Sequence, residues 1–377
     1  MLYVHIPYCN GKCIYCDFYS AGKRIAQWEV YKDCLLEELK QRKDEFRRIP
    51  ETIYFGGGTP SLLPDNIFIS LVDEINTILN KSKEWSEFTI EVNPEDITEL
   101  KCEAWKNAGV NRVSMGVQSL IDSELKKIGR KHDSKTAIQA IKILKNYFEN
   151  ISVDIMFGLP GQTLNSLRQS VETLISFRPT HFSAYALMLE EGTALTHLAS
   201  KGIISLPGEE ETLEMWKLLS GVLKENGFRR YEISNYAVAG YESKHNSGYW
   251  QGKAYMGLGP SAHSYDGNNI RKWNNADIKN YIRHYSGDSS FIFEKIGDEE
   301  TLSKEELLEE MIMTRLRTAK GLNLNEFKEK LGEIRLDKLL KKANTQISLG
   351  FLQRNQDHLS LLETGFYTSD TVFLELI

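Results

Sequence analysis

Six short runs rich in apolar and β-branched residues punctuate the first half of the chain. They begin at Leu2 (LYVHIP), Thr52 (TIYFGGG), Phe88 (FTIEVNP), Arg112 (RVSMGVQ), Ile151 (ISVDIMF) and His181 (HFSAYALML), and they read as strands. Helical patterns follow them. Trp28, Tyr31, Leu35 and Leu39 share one helical face, and similar stripes run through 67–79, 138–148 and 167–177. Asp65, Asp122 and Ser134 are the N-caps this pattern suggests. Strands alternating with helices predict an α/β fold built on a parallel sheet. A complete eight-unit barrel takes about 250 residues, so six units take roughly 190, which is where the rhythm stops. The pattern therefore predicts a partial, open (βα)6 barrel over 1–190, with a doubly wound sheet as the alternative.

Beyond that point the pattern changes. Residues 191–300 read as a small α+β middle region. It has a helix over 209–225 ended by Asn226-Gly227, a strand-like stretch over 230–236, and a glycine- and aromatic-rich segment through Asp266. Residues 286–304 read as a linker. Residues 301–377 predict helices around 307–316, 324–330 and 336–343, then a hairpin over 350–362 turning at Asn355-Gln356-Asp357. Three helices and a wing make a winged-helix-like domain.

Charge narrows the function classes. With 46 basic and 52 acidic residues in 377, the net charge is −6, the wrong sign for a chain that neutralises phosphates. The winged tail carries −1 over 302–377 and reads as a packing or partner domain, so no nucleic acid is expected. No apolar run approaches the roughly 20 residues of a membrane span. The first residues show no cationic leader, and a cytoplasmic, reducing setting is the expectation.

Cysteine placement carries the chemistry. Of five cysteines, Cys9, Cys13 and Cys16 crowd into one loop just after the first predicted strand, while Cys34 and Cys102 sit in helical patterns as core residues. Three thiols at C-x3-C-x2-C spacing can bind metal. Structural zinc prefers four ligands, usually in two pairs, and only His5 or Asp17 stands near enough in sequence to be a fourth. A 4Fe–4S cluster on three cysteines leaves one iron open for chemistry. Both remain readings of the spacing, with the cluster favoured.

The spacing is the signature of the radical S-adenosylmethionine (SAM) enzymes, and the first half of the chain resembles them closely. Gly56-Gly57-Gly58-Thr59-Pro60-Ser61, ending the second strand, resembles the segment that meets the methionine end of SAM. Its bare backbone permits close approach. Glu91, Gln118 and Asp154 fall at strand ends and Arg130 in the fourth loop, where barrel sites are built. Together they resemble the coproporphyrinogen-oxidase-like branch in type and order. That resemblance implies a radical-SAM barrel in which Cys9, Cys13 and Cys16 hold the cluster. It also implies that Tyr3, Tyr15, Gly58, Thr59, Glu91, Gln118, Arg130 and Asp154 contact SAM.

Two sub-families share these marks, the oxygen-independent coproporphyrinogen III dehydrogenases and the HemW-type haem chaperones. The dehydrogenases carry another cysteine two residues after the third and a long segment ahead of the cluster. Here Asp17-Phe18 follows Cys16, and the triplet starts at residue 9. His245-Asn246-Ser247-Gly248-Tyr249-Trp250 resembles the chaperones' H-N-x-x-Y-W motif, from which His245, Asn246, Tyr249 and Trp250 become candidate haem-associated residues. From the residues alone, a surface loop pinned by aromatics is the blander reading. His5 and His263 read as hydrogen-bonding residues of the barrel and loops. The implied function is a haem chaperone with haem as cargo, alongside the 4Fe–4S cluster and SAM. Recipient haemoproteins and an electron donor are the implied partners, and a homodimer is compatible with the sequence. The alternatives are the dehydrogenase, acting through a 5′-deoxyadenosyl radical, and a zinc-stabilised protein-binding module.

Overall fold

The computed structural model describes residues 1–287 and 295–377. Six parallel strands run in sequence order side by side: β1 (Leu2–Ile6), β2 (Thr52–Gly57), β3 (Glu87–Val92), β4 (Arg112–Gln118), β5 (Asn150–Phe157) and β6 (His181–Ala186). The middle region supplies both margins of this sheet. Strand Met256–Leu258 adds parallel to the free edge of β1, and Asn235–Ala237 with Arg229–Arg230 add antiparallel beyond β6. The two margins do not pair with each other, so the barrel is open, and the doubly wound order is excluded.

Alternation within the strands sorts the chemistry. One face of each strand is apolar: Ile53 and Phe55, Phe88 and Ile90, Val113 and Met115, Val153 and Ile155, and Phe182 are all buried. These pack outward against Leu35, Leu39, Phe68, Leu71, Ile141, Leu144, Leu167 and Val171 of the covering helices. The other face is polar: Thr52 and Tyr54, Glu87 and Glu91, Arg112 and Ser114, Ser152 and Asp154, His181 and Ser183 look into the barrel. A barrel interior lined this way is a site and not only a core.

Several local expectations shift. The caps are one residue earlier than predicted. Pro64 and Ile121 precede the helices Asp65–Ile78 and Asp122–Lys127, and Asp133 caps Ser134–Tyr147 by accepting from Thr136 N–H. The strand-like 230–236 breaks into the two short strands named above. Of the stretch read as linker, 288–294 lies outside the described residues, and Gly297–Thr301 is a strand. It pairs antiparallel with Ile270–Asn274, setting Glu299 against Lys272 and Glu300 against Arg271. Cross-strand charge pairing, invisible in a local window, turns an acidic segment into an edge strand.

The tail folds as helices Lys304–Leu316, Leu324–Leu331 and Glu333–Ser348 with the hairpin Leu352–Asn355/His358–Leu361, joined by Leu322–Asn323 as its third strand. Among the described residues no helix is long and apolar enough to cross a membrane. Cys34 and Cys102 are buried in the core.

Candidate functional site

The carboxyl ends of the strands form an open mouth. Cys9, Cys13 and Cys16 lie on its rim as half-buried free thiols in the loop after β1. Hydrogen bonds tie this loop to three strands. Cys9 Sγ lies 3.2 Å from Thr59 Oγ1, which accepts from Asn93 Nδ2 at 3.4 Å. Asn93 Oδ1 accepts from Arg130 Nη2 at 2.9 Å, and Arg130 Nη1 reaches Cys13 Sγ at 3.8 Å. Burial pushes the Cys9 and Cys16 thiols above their usual range. Asn93 is a member of this ring that the sequence reading missed; its place two residues after Glu91 at a strand end was the available signal.

Deeper in the mouth stand two carboxyls. Glu91 accepts from Tyr54 Oη at 2.7 Å and from Gly57 N–H at 3.2 Å, and burial raises its pKa to about 7. Asp154 accepts from Ser114 Oγ at 3.1 Å and Ser152 Oγ at 3.4 Å, and burial raises it too. Tyr3 bonds His5 Nδ1 at 3.0 Å, while His5 Nε2 lies 3.2 Å from Tyr19 O. Both ring nitrogens are occupied, and burial holds the pKa of His5 at about 4. Gln118 takes φ +67 at a register shift ending β4; a left-handed glutamine at a strand end is a strained position of the kind that gathers at sites. Tyr15 packs beside Ile128 and Leu159 near the same rim.

A cradle runs through the glycines. A Cβ on Gly56 would stand 2.8 Å from the Tyr54 ring, 3.0 Å from the Tyr3 ring and 3.2 Å from the Glu91 carboxyl carbon. One on Gly58 would meet the carbonyl of Ile6 at 2.9 Å. Only glycine keeps this wall open. The donor set, three free thiols with an arginine beside them and carboxyls behind, suits an iron–sulfur cluster with a polar, cationic co-ligand. Among the described residues no three His, Cys, Asp or Glu side chains already stand at ligating separation, so a bound cluster would draw the thiols together.

The amino ends of the strands are closed. Residues 245–250, readable as a surface loop, form the helix Lys244–Trp250, and His245 is fully buried. This is a correction with a physical cause. Ser243 caps the helix, and the buried carboxylate of Glu87 accepts from Ser243 Oγ, His245 N–H and Lys244 N–H at 3.0, 2.9 and 2.7 Å. A negative charge on exposed N–H groups at a helix start is stabilising. His245 Nδ1 bonds Thr52 Oγ1 at 2.8 Å and Nε2 bonds Tyr249 Oη at 3.0 Å. Burial, with the N-terminal ammonium and Arg112 adding repulsion, lowers its pKa to about 3.

Asn246 donates its backbone N–H to Ser243 Oγ. Trp250 lies under the Arg317 guanidinium, 3.8 Å from ring centre to its carbon. Arg112 and His181 complete the floor. Arg112 is buried with Nε and Nη1 unpartnered; burial opposes its charge, but Glu87, Tyr54, Tyr231 and Asp154 outweigh it and hold the pKa above the ordinary arginine value.

The structure thus brings the thiol loop, Tyr3, Thr59, Glu91, Arg130 and Asp154 to one mouth, and sets His245, Asn246, Tyr249 and Trp250 at the opposite end. Glu87, Arg112 and His181 were missed. Each opens or nearly opens a strand, where a polar residue reads as a boundary.

The radical SAM superfamily profile matches residues 3–174, and the HemN C-terminal domain profile matches 302–368. With that superfamily come a 4Fe–4S cluster and SAM as cofactors. The chain is 36% identical to a Bacillus subtilis protein named heme chaperone HemW, covering 98% of this chain and 97% of that one. It is 33% identical to the Lactococcus lactis protein of the same name, covering 98% and 95%. In fold it is similar to the coproporphyrinogen III oxidase HemN of Escherichia coli, at TM-score 0.81 and 19% identity, covering 100% of this chain and 89% of that one. On full-length similarity of this degree, the chain belongs to the HemW family of the radical SAM superfamily.

Proposed function

We propose that this protein is a haem chaperone. It binds haem, carries a 4Fe–4S cluster and SAM in the barrel mouth, works in the cytoplasm, and passes haem to recipient haemoproteins. The observation that carries this reading is the end-to-end similarity to relatives named heme chaperone. The rim agrees with it, because Phe18, standing where the dehydrogenases place a further cysteine, is exposed beside the thiol loop.

In this reading Cys9, Cys13 and Cys16 hold the cluster, which when bound supplies a low-potential electron to the SAM sulfonium. Arg130 sets a positive charge beside Cys13 and compensates the thiolates. Glu91 and Asp154 accept hydrogen bonds from the amine and ribose hydroxyls of SAM, and Gly58 and Thr59 admit its methionine end. Tyr3, Tyr15 and Gln118 wall the mouth. Tyr54 holds Glu91 in place.

The test is a pair of assays on anaerobically reconstituted protein. Haem loaded on the chain should move to an apo-haemoprotein, and coproporphyrinogen III should remain unconverted. Conversion of coproporphyrinogen without haem transfer would overturn the proposal in favour of the dehydrogenase. Colourless protein with stoichiometric zinc would overturn both.

A further inference from the structure

A groove of about 650 Å³ opens behind the closed floor, between the aromatic end of helix Lys244–Trp250 and helix Lys304–Leu316 of the tail. This size lies within the usual range for a small-molecule site, about 300–1,000 Å³. One wall is aromatic. Tyr249, Trp250, Tyr255 and Tyr265 line it, with Tyr255 edge-on to Tyr249 at 4.7 Å between ring centres and Tyr265 6.3 Å beyond. The facing wall is apolar, with Leu307 and the thioether of Met311. The remaining lining holds four cations, Arg271, Lys304, Arg315 and Lys330, against one carboxylate, Glu310. Arg271 pairs with Glu300 and Glu310, and Arg315 and Lys330 with Glu326. Lys304 has no ion pair among the described residues.

We propose that this groove is the haem site. The inference rests on the haem-chaperone reading and locates its cargo. The ligand that fits is flat, largely apolar and edged with carboxylates. Aromatic and aliphatic walls cover the two faces of such a macrocycle, the basic lining meets its propionates, and Met311 is the sulfur on the wall able to ligate iron. His245 is not the ligand. Both its nitrogens are engaged inside the barrel, and its part is to fix Tyr249, whose neighbour Trp250 shares the groove wall. A second groove of equal volume lies on the other side of Tyr255 and Tyr265, but its basic lining of Arg47, Arg48, Lys244, Lys253 and Lys272 comes without Trp250 or Met311. Met1 and Met256 are the sulfurs there, and Met256 is buried.

The experiment is haem titration of the full chain, followed by the Soret band, with SAM binding as the fold control. Leu307→Arg should weaken haem binding at least tenfold and leave SAM binding intact. Lys304→Glu, an exposed change that spares the fold, should weaken it severalfold. Met311→Leu should shift the Soret maximum and leave SAM binding intact, which the loss of a methionine that only packs would not do. Arg48→Glu in the second groove should change nothing. Wild-type affinity in both Leu307→Arg and Lys304→Glu, or loss of haem in Arg48→Glu alone, overturns the placement while leaving the chaperone reading standing. A wild-type chain that binds no haem overturns both.

Discussion

The two ends of the barrel are built from the same six strands and have opposite designs. At the mouth, polar groups are left available. Three thiols are free, Glu91 stands near neutrality in pKa, and glycines hold a cleft open. At the floor, two nitrogens of Arg112 apart, polar groups consume one another. Glu87 takes three donors, His245 uses both nitrogens, and His181 is bonded on both sides by Ser152 and Tyr231. The mouth is therefore read as the place for chemistry and the floor as a rigid partition between it and the groove behind. Sequence motifs at the two ends look alike, each a cluster of unusual residues; only the bonding state distinguishes a site that awaits a ligand from one already satisfied.

The largest effect that would break this contrast is at the mouth. Replacing Cys9, Cys13 and Cys16 together by alanine should take iron from about four per chain to none and leave the far-ultraviolet circular dichroism unchanged. If the fold collapses instead, the thiol loop is a structural element and the mouth resembles the floor.

The floor responds in stability. Glu87→Ala strips the helix Lys244–Trp250 of three acceptor contacts and leaves Arg112 buried without its main counter-charge. Removing a buried counter-charge from one side costs about 3–5 kcal/mol, which in a chain of 377 residues lowers the melting temperature by roughly 5 °C. Iron content should hold. A loss of iron with little loss of stability would mean that the two ends are not separate.

Acid titration sharpens the same point. His5 has a pKa of about 4 and His245 of about 3, both below the unfolded value. Above about pH 6.5 each is neutral whether folded or not. As pH falls below that, the unfolded chain takes up protons that the folded chain refuses, so stability is lost, by about 1.4 kcal/mol per pH unit for each histidine. His181, also lowered well below the ordinary histidine value by burial, adds to the slope. His245→Gln should reduce the slope of unfolding free energy between pH 6 and 4 by one proton's worth, measured by denaturant titration at each pH. An unchanged slope would show that His245 is not sealed.

How much of this was written in the chain follows from the range of the forces. The six strands and the covering helices were legible because their apolar faces repeat locally. The thiol triplet, the glycine run and Glu91 were legible because spacing within a strand and its loop fixes them. The helix Lys244–Trp250 was not. Seven residues with Gly248 inside are a weak helix by propensity, and its stabilising carboxylate, Glu87, lies more than 150 residues away. A Cβ at Gly248 would meet only the end of the Met1 side chain, which is free to turn away. The acidic strand Gly297–Thr301 was hidden in the same way, its partner cations lying on another strand.

The smallest expected effect tests whether the partition transmits anything. Tyr54 touches both ends: its hydroxyl donates to Glu91, and its ring packs 5.2 Å from that of His245. In the proposed SAM contact Glu91 accepts from the amine best when ionised, so SAM affinity should fall, by up to tenfold per pH unit, below its pKa of about 7. Tyr54→Phe removes a hydrogen bond to the carboxylate form, worth about 1 kcal/mol. That should weaken SAM roughly threefold at pH 7 and move the midpoint of its pH dependence upward, both read by equilibrium binding. The ring remains, so packing against His245 is kept. If haem binding in the groove is unaffected by this substitution, the floor isolates the cargo from the cofactor. If haem affinity shifts with SAM affinity, Tyr54 couples them, and linkage then demands that SAM and haem change each other's binding by the same factor.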